Sequence, residues 1–174
     1  MTRTASWATI GLLLAALVAP ALLSAQVEES IRPLSAFPRE RIAIETRSAR
    51  RHAFDAWRAD TNPTRAQGLM FVRELRPEQA MIFIYSPPQR AGMWMKNTLI
   101  PLDMLFVTEH GCIAMVKERA QPGALDTIMA DVPVVLVVEL AGGTAAALGI
   151  RAGDRVVRID AGWPRDPRPC TPSN

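Results

Sequence analysis

Histidine is scarce in this chain, with two among 174 residues, His52 and His110, far apart and outside any ligand spacing. A zinc centre draws several such ligands from short, regular intervals, so no metal site is expected. Also missing are an H-E-x-x-H pattern, a phosphate-binding loop and a nucleophile elbow, which removes the reaction classes those motifs serve. Nothing in the chain points to a cofactor. Repeats and low-complexity tracts are absent as well. Charge is nearly balanced: 20 basic and 17 acidic residues leave +3. That is a small arginine excess, not a polyanion-binding surface. The one basic cluster, Arg47 to His52, is short and reads as a solvated hairpin loop. Nucleic acid is therefore not an expected partner.

Long apolar runs are confined to the first residues. Arg3 precedes an alanine- and leucine-rich stretch, Trp7 to Leu23, closed by Leu23-Ser24-Ala25. This is the pattern of a secretory signal peptide over residues 1–25. The alternative is an uncleaved anchor, since the run approaches the ~20 apolar residues a spanning helix needs. Both place the remainder outside the cytoplasm, periplasmic or extracellular, with no later stretch long enough to span. Cysteine is equally sparse: Cys112 and Cys170 alone. An even pair in an oxidising compartment favours a disulfide, tying the Pro-rich tail, residues 161–174, back to a strand. A catalytic thiol at Cys112 is the other reading, with His110 two residues away. The Glu109-His110-Gly111 turn makes both loop residues instead.

What is present reads as short strands. Residues 26–39 are polar with two prolines, a flexible lead-in to a domain over 40–160. Arg41–Glu45 alternates, and His52–Trp57 is its hairpin partner. Asn62 as N-cap and Pro63 at the first helical position predict a two-turn helix ending near Gly68 or Met70. Strands follow at Met81–Tyr85, Ala91–Lys96, Leu102–Val107, Cys112–Arg119, Val134–Leu140 and Arg155–Ile159. Ala145–Leu148 makes one helical turn, stopped by Gly149 in the left-handed conformation. The expected fold is mainly β with two short helices (α+β). It is a compact, mostly antiparallel, barrel-like or sandwich-like single domain, with Leu102–Val107 and Val134–Leu140 central and covered.

Charges inside these apolar runs mark the candidate site. Lys96 and Asp103 sit in Gly92-Met93-Trp94-Met95-Lys96-Asn97-Thr98-Leu99-Ile100-Pro101-Leu102-Asp103, and Glu139 sits in the valine-rich strand. A buried charge is costly and is kept only with a partner or a role. By alternation Asp103 shares a face with Leu105 and Val107, Glu139 with Val135 and Val137, and Lys96 with Trp94. If those faces meet, two carboxylates and one ammonium converge, with Asn97 and Thr98 as donors and acceptors. One carboxylate pKa would rise and the lysine would hold the other ionised, the form of an acid/base site. The structural alternative has Asp103 accepting backbone N–H groups at a turn, Glu139 paired with Lys96, and Trp94 in the core.

Three blocks carry a resemblance. Gln67-Gly68-Leu69-Met70-Phe71, then Met93 through Phe106, then Glu139-Leu140-Ala141-Gly142-Gly143-Thr144-Ala145 with Leu148-Gly149-Ile150 and Gly153-Asp154 resemble the DUF192 (UPF0127) family, in its order. Where that family usually has arginine before Gly-Leu-Met, this chain has Gln67, with Arg65 two residues earlier. The resemblance implies a compact, strand-rich, often exported domain. It transfers no catalytic residue, because no function is established for the family. Gly143 to Val157 is also similar to the helix–turn–strand of a PDZ domain. No Gly-rich carboxylate-binding loop precedes it, and a glycine-stopped helix entering a tight turn produces the same pattern locally.

Three functional readings follow. The first is a cell-envelope accessory or binding protein whose pocket for a small polar ligand is lined by Trp94, Lys96, Asn97, Thr98, Asp103 and Glu139. The second is a hydrolase or lyase of envelope polymers using Asp103 and Glu139 as acid and base, which requires carboxyls ~5–10 Å apart across an open cleft. The third is a pocketless protein-interaction module, marked by an exposed apolar patch.

Overall fold

The computed structural model describes residues 31–165 and 168–170; the signal-like segment, residues 1–25, lies outside the described residues. Within Ile31–Asn174, β1 (Arg39–Glu45) and β2 (Arg51–Ala59) form a hairpin, and α1 (Asn62–Gln67) follows. Then come β3 (Gln79–Gln89), β4 (Gly92–Met93), β5 (Leu102–Val107), β6 (Ile113–Ala120), β7 (Ile128–Met129) and β8 (Val134–Ala141). The last elements are α2 (Thr144–Leu148) and β9 (Arg155–Arg158). Seven strands make one sheet in the order β6-β5-β8-β3-β2-β1-β9, a half-barrel, while β4 and β7 pair separately. The domain is mainly β. The β2–β3 pair is parallel and the other pairs are antiparallel. Parallel neighbours need a crossover, and residues 60–78 with α1 supply it.

Both faces of the sheet are buried. One carries Trp57, Met81, Phe83, Met104 and Phe106 under a cover that includes Phe37, Leu69, Met93 and Met95. The other carries Ile42, Phe54, Ile82, Leu105 and Leu140 under Ala145, Ile150 and Val156. Residues of β5 are buried without exception and β8 nearly so, which is why both read as continuous apolar runs.

Several local expectations are corrected. The helix cap is Thr61, whose side chain accepts from Thr64 N–H in a capping box, so Asn62 already lies inside the helix. The strand expected at Ala91–Lys96 shrinks to Gly92–Met93, because Met95 turns away to donate its N–H to Ala124 O at 3.0 Å. The described part of the lead-in makes contacts with the domain. Phe37 is buried in the core, and Gln67 exchanges hydrogen bonds with the Arg32 backbone at 2.9 and 2.7 Å.

At the other end Cys112 and Cys170 form a disulfide across a sequence separation of 58. A loop of that length is worth about 4 kcal/mol of denatured-state entropy as an upper figure. Reduction, or Cys170→Ser, is therefore expected to lower the unfolding free energy by up to about 4 kcal/mol in denaturant titration, without loss of the β-sheet circular dichroism.

Candidate functional site

Strand register decides which of the six proposed site residues meet. In the β5–β8 pair Met104 lies opposite Glu139 and Asp103 opposite Leu140. Neighbouring positions on one strand point to opposite sides, so the two carboxylates face opposite layers of the core. They do not converge. The acid/base pair expected from alternation is overturned by this pairing, since the two charge-bearing faces never meet.

Asp103 has a main-chain role. It has no solvent exposure and accepts N–H groups from Arg119 at 2.8 Å, from Gly143 at 2.9 Å and from Ala145 at 2.8 Å. Gly143 caps α2 with φ +97° and has no side chain to offer the orphan N–H groups. The carboxylate comes instead from a strand forty residues away in sequence, supplying the negative charge a helix start favours. Arg119 also has a left-handed φ, +47°, where the β6 edge is bulged against β5.

Glu139 lies on the other face, flanked in register by Met81 and Met104, and is 3 % exposed. Its Oε2 is buried without a hydrogen-bond partner among the described residues. Burial pushes its pKa up to about 8, so the carboxyl is mainly protonated at neutral pH. Neither a second carboxylate nor Lys96 enters this. Tyr85 is pushed up to about 12, chiefly by burial, with the Arg65 charge opposing and Glu139 adding to the rise. Its hydroxyl donates to Met93 Sδ at 3.4 Å.

Over Glu139 lies a narrow cleft between the end of α1 and the turn that follows β4. Trp94, Lys96 and Thr98 line one wall, Arg65 and Met70 the other, and Glu139 the interior. The cleft volume is about 20 Å³. That admits a single water-sized or hydroxyl-sized group. Lys96 meets Trp94 by folding over its ring, with Nζ 5.2 Å from the centroid, and not through strand alternation. The Trp94 side of the pair is open, at 45 % exposure, so it is not a core tryptophan. Among the described residues Lys96 has no ion-pair partner.

Asn97 does not line the cleft but fastens its two walls together. Its φ is +57°, and its carbonyl accepts the Phe71 N–H at 2.8 Å, with Phe71 itself at φ +62°. Two non-glycine residues in the left-handed region, bonded to each other, store backbone strain beside the cleft. Thr98 is buried, its hydroxyl 3.5 Å from Lys96 O. Arg65, noted in the sequence only for its place before Gln67, has contacts that were not expected. It donates to the carbonyls of Asp60 and Ile84 at 2.8 and 2.7 Å and lies 5.4 Å from the Tyr85 ring, so its charge is committed to scaffolding. A charged residue three places before Gly68 gives no hint of those contacts.

Among the described residues no cluster of three histidine, cysteine or carboxylate side chains could hold a metal ion. No helix in them is long and apolar enough to cross a membrane.

Residues 43–158 match the profile of the DUF192 family, described as "Uncharacterized ACR". This chain belongs to that family. Its fold is similar to that of a protein of unknown function from Novosphingobium aromaticivorans, at 38 % identity and TM-score 0.69 over 73 % of this chain and 90 % of that one. A Sinorhizobium meliloti protein described as a "putative transcription regulator" is similar at 37 % identity and TM-score 0.69, over 71 % and 95 %. No curated protein matches the chain. The DUF192 blocks named from sequence map onto the cleft walls, the β5–β8 pair and α2.

Two outcomes follow from the carboxylates. Asp103→Ala strips three backbone donors of their acceptor and is expected to lower the unfolding free energy by about 3 kcal/mol or more in denaturant titration. For Glu139 the pKa moves from 4.5 in the unfolded chain to about 8 in the fold. Between those values the folded protein holds a proton the unfolded chain has lost. Stability from this group therefore falls as pH rises, by as much as about 1.4 kcal/mol per pH unit. Glu139→Gln removes that slope, so the wild-type-minus-variant difference measured from pH 5 to 9 should decline with pH; a flat difference contradicts a buried neutral carboxyl.

Proposed function

We propose that this DUF192 protein is a cell-envelope accessory or binding protein that takes a small polar ligand at the Glu139 cleft. The observation that carries the proposal is the unpartnered Oε2 of a buried glutamate in a cleft beside an exposed Trp94–Lys96 pair. Buried polar atoms are rarely left without a partner, and in a cleft a ligand group is one partner that completes such an atom. A protonated carboxyl both donates and accepts, and so suits a hydroxyl or amide. Only such a group enters the cleft; the body of the ligand rests on Trp94, as a sugar ring or peptide segment would. The disulfide and the apolar run Trp7 to Leu23 support an exported, oxidising setting as part of the proposal. Near-balanced charge argues against nucleic acid as partner.

A hydrolase working through an Asp103–Glu139 pair is not carried forward, since the pair is split across the sheet. The interaction-module reading keeps one observation in its favour. Phe71, Trp94, Leu99, Leu125 and Met129 are exposed, and their segments are tied together by the bonds from Phe71 to Asn97, Met95 to Ala124 and Gly92 to Met129. Apolar surface of that kind is a feature of docking sites.

Thermal scanning of the purified protein against saccharides, short peptides and simple amides tests the binding reading. At least one compound should raise the melting temperature of the wild type. Trp94→Ala should lose that shift while changing unliganded stability by less than about 0.5 kcal/mol. An unresponsive panel, or a hit indifferent to Trp94→Ala, defeats the ligand site.

A further inference from the structure

On the opposite face of the sheet from Glu139 lies a much larger cavity, about 660 Å³, between the start of β2, the β6 end and α2. That volume is in the range of small-molecule sites, whereas the Glu139 cleft holds one functional group. Phe54, Pro77, Ala147 and Leu148 supply apolar wall, and Arg119, His52 and Thr144 supply polar groups.

The polar groups are unusual in being unused. Among the described residues the Arg119 guanidinium has no hydrogen-bond or ion-pair partner, although the other basic residue on the wall, Arg51, pairs with Glu45. His52 Nε2 is buried and also lacks a partner. Arg119 is held in place by its main chain: φ is +47° and its N–H is fixed on Asp103. Its guanidinium lies across Gly143, where a Cβ would come within 2.5 Å of it, so the absent side chain makes its seat. A strained backbone and a glycine seat place at a mixed cavity a guanidinium that has no partner among the described residues. At the α2 end, Asp103 already takes the Gly143 and Ala145 N–H groups.

We propose that this cavity binds an organic molecule with one carboxylate and an apolar body. The planar guanidinium of Arg119 meets the carboxylate with two parallel hydrogen bonds. The apolar body lies against Phe54, Pro77 and Leu148. One such cation matches a monoanion. A phosphate dianion would bring a second charge to a wall that also carries Glu78, itself paired with Arg76 at 3.0 Å. The same chemistry is offered by a free small acid and by the C-terminus of a peptide.

The test is a nuclear magnetic resonance titration of the full chain with 3-phenylpropionate and with its primary amide. A hydrophobic tripeptide with a free C-terminus and the same peptide amidated form the second arm. At least one acid is expected to shift the Gly143, Thr144 and Arg119 resonances. Its amide should bind about tenfold more weakly or worse. Arg119→Gln should weaken the acid by a similar factor, Arg119→Lys less, and Trp94→Ala not at all. Response to the small acid alone assigns a free acid as ligand; stronger response to the peptide acid assigns a chain terminus. No shift with either acid, equal binding of acid and amide in the wild type, or shifts confined to the Trp94 cleft overturns the proposal.

Discussion

The Asp103 carboxylate is the interaction on which this fold turns. It sits at the first buried pair of β5, fully enclosed, and gathers N–H groups from the end of β6 and the start of α2. Without it, Arg119 would lose the bond that holds its left-handed backbone, and α2 would start on a glycine with open donors. A charge this deep is tolerable because all its partners are backbone dipoles pointing inward. The larger cavity inherits its shape from the same bonds, since Arg119 and Gly143 are both anchored there.

Glu139, one position away in the strand ladder, shows the opposite outcome. The same residue class and nearly the same burial give a carboxyl fully engaged by backbone N–H groups on one face and a mainly neutral acid on the other. What differs is the company: main-chain N–H groups around Asp103, thioethers and aromatic rings around Glu139. Where burial removes water and no hydrogen bond replaces it at the carboxylate, the cheaper state of a carboxyl is the protonated one. It thereby becomes a group that can both give and accept a hydrogen bond, beside an exposed tryptophan and the lysine folded over its ring.

Much of the architecture was legible along the chain. Leu102–Val107 was found to the residue because an uninterrupted apolar run between a proline and a turn has few other uses. Helix α2 was readable from Gly149, which takes φ +70° where a side chain would be strained. Ala91–Lys96 misled, because alternating large residues mimic a strand even where the backbone leaves the ladder to wall a cleft. The importance of Arg65 and Arg119 was not legible. Each acts in part through a carbonyl, ring or seat supplied by a residue well removed in sequence, Ile84 and Tyr85 for Arg65 and Gly143 for Arg119, and a lone arginine carries no mark of that.

The sequence alone determined that Asp103 and Glu139 would be buried, because apolar neighbours on both sides leave a strand residue nowhere else to go. It also determined the β-rich class and the glycine-ended turns, which are local matters of steric freedom and side-chain pattern. Only the tertiary structure decided that the two carboxylates would not meet. That depends on which strands become neighbours and in what register, and a shift of one residue in β5 against β8 would exchange every side chain between the two faces.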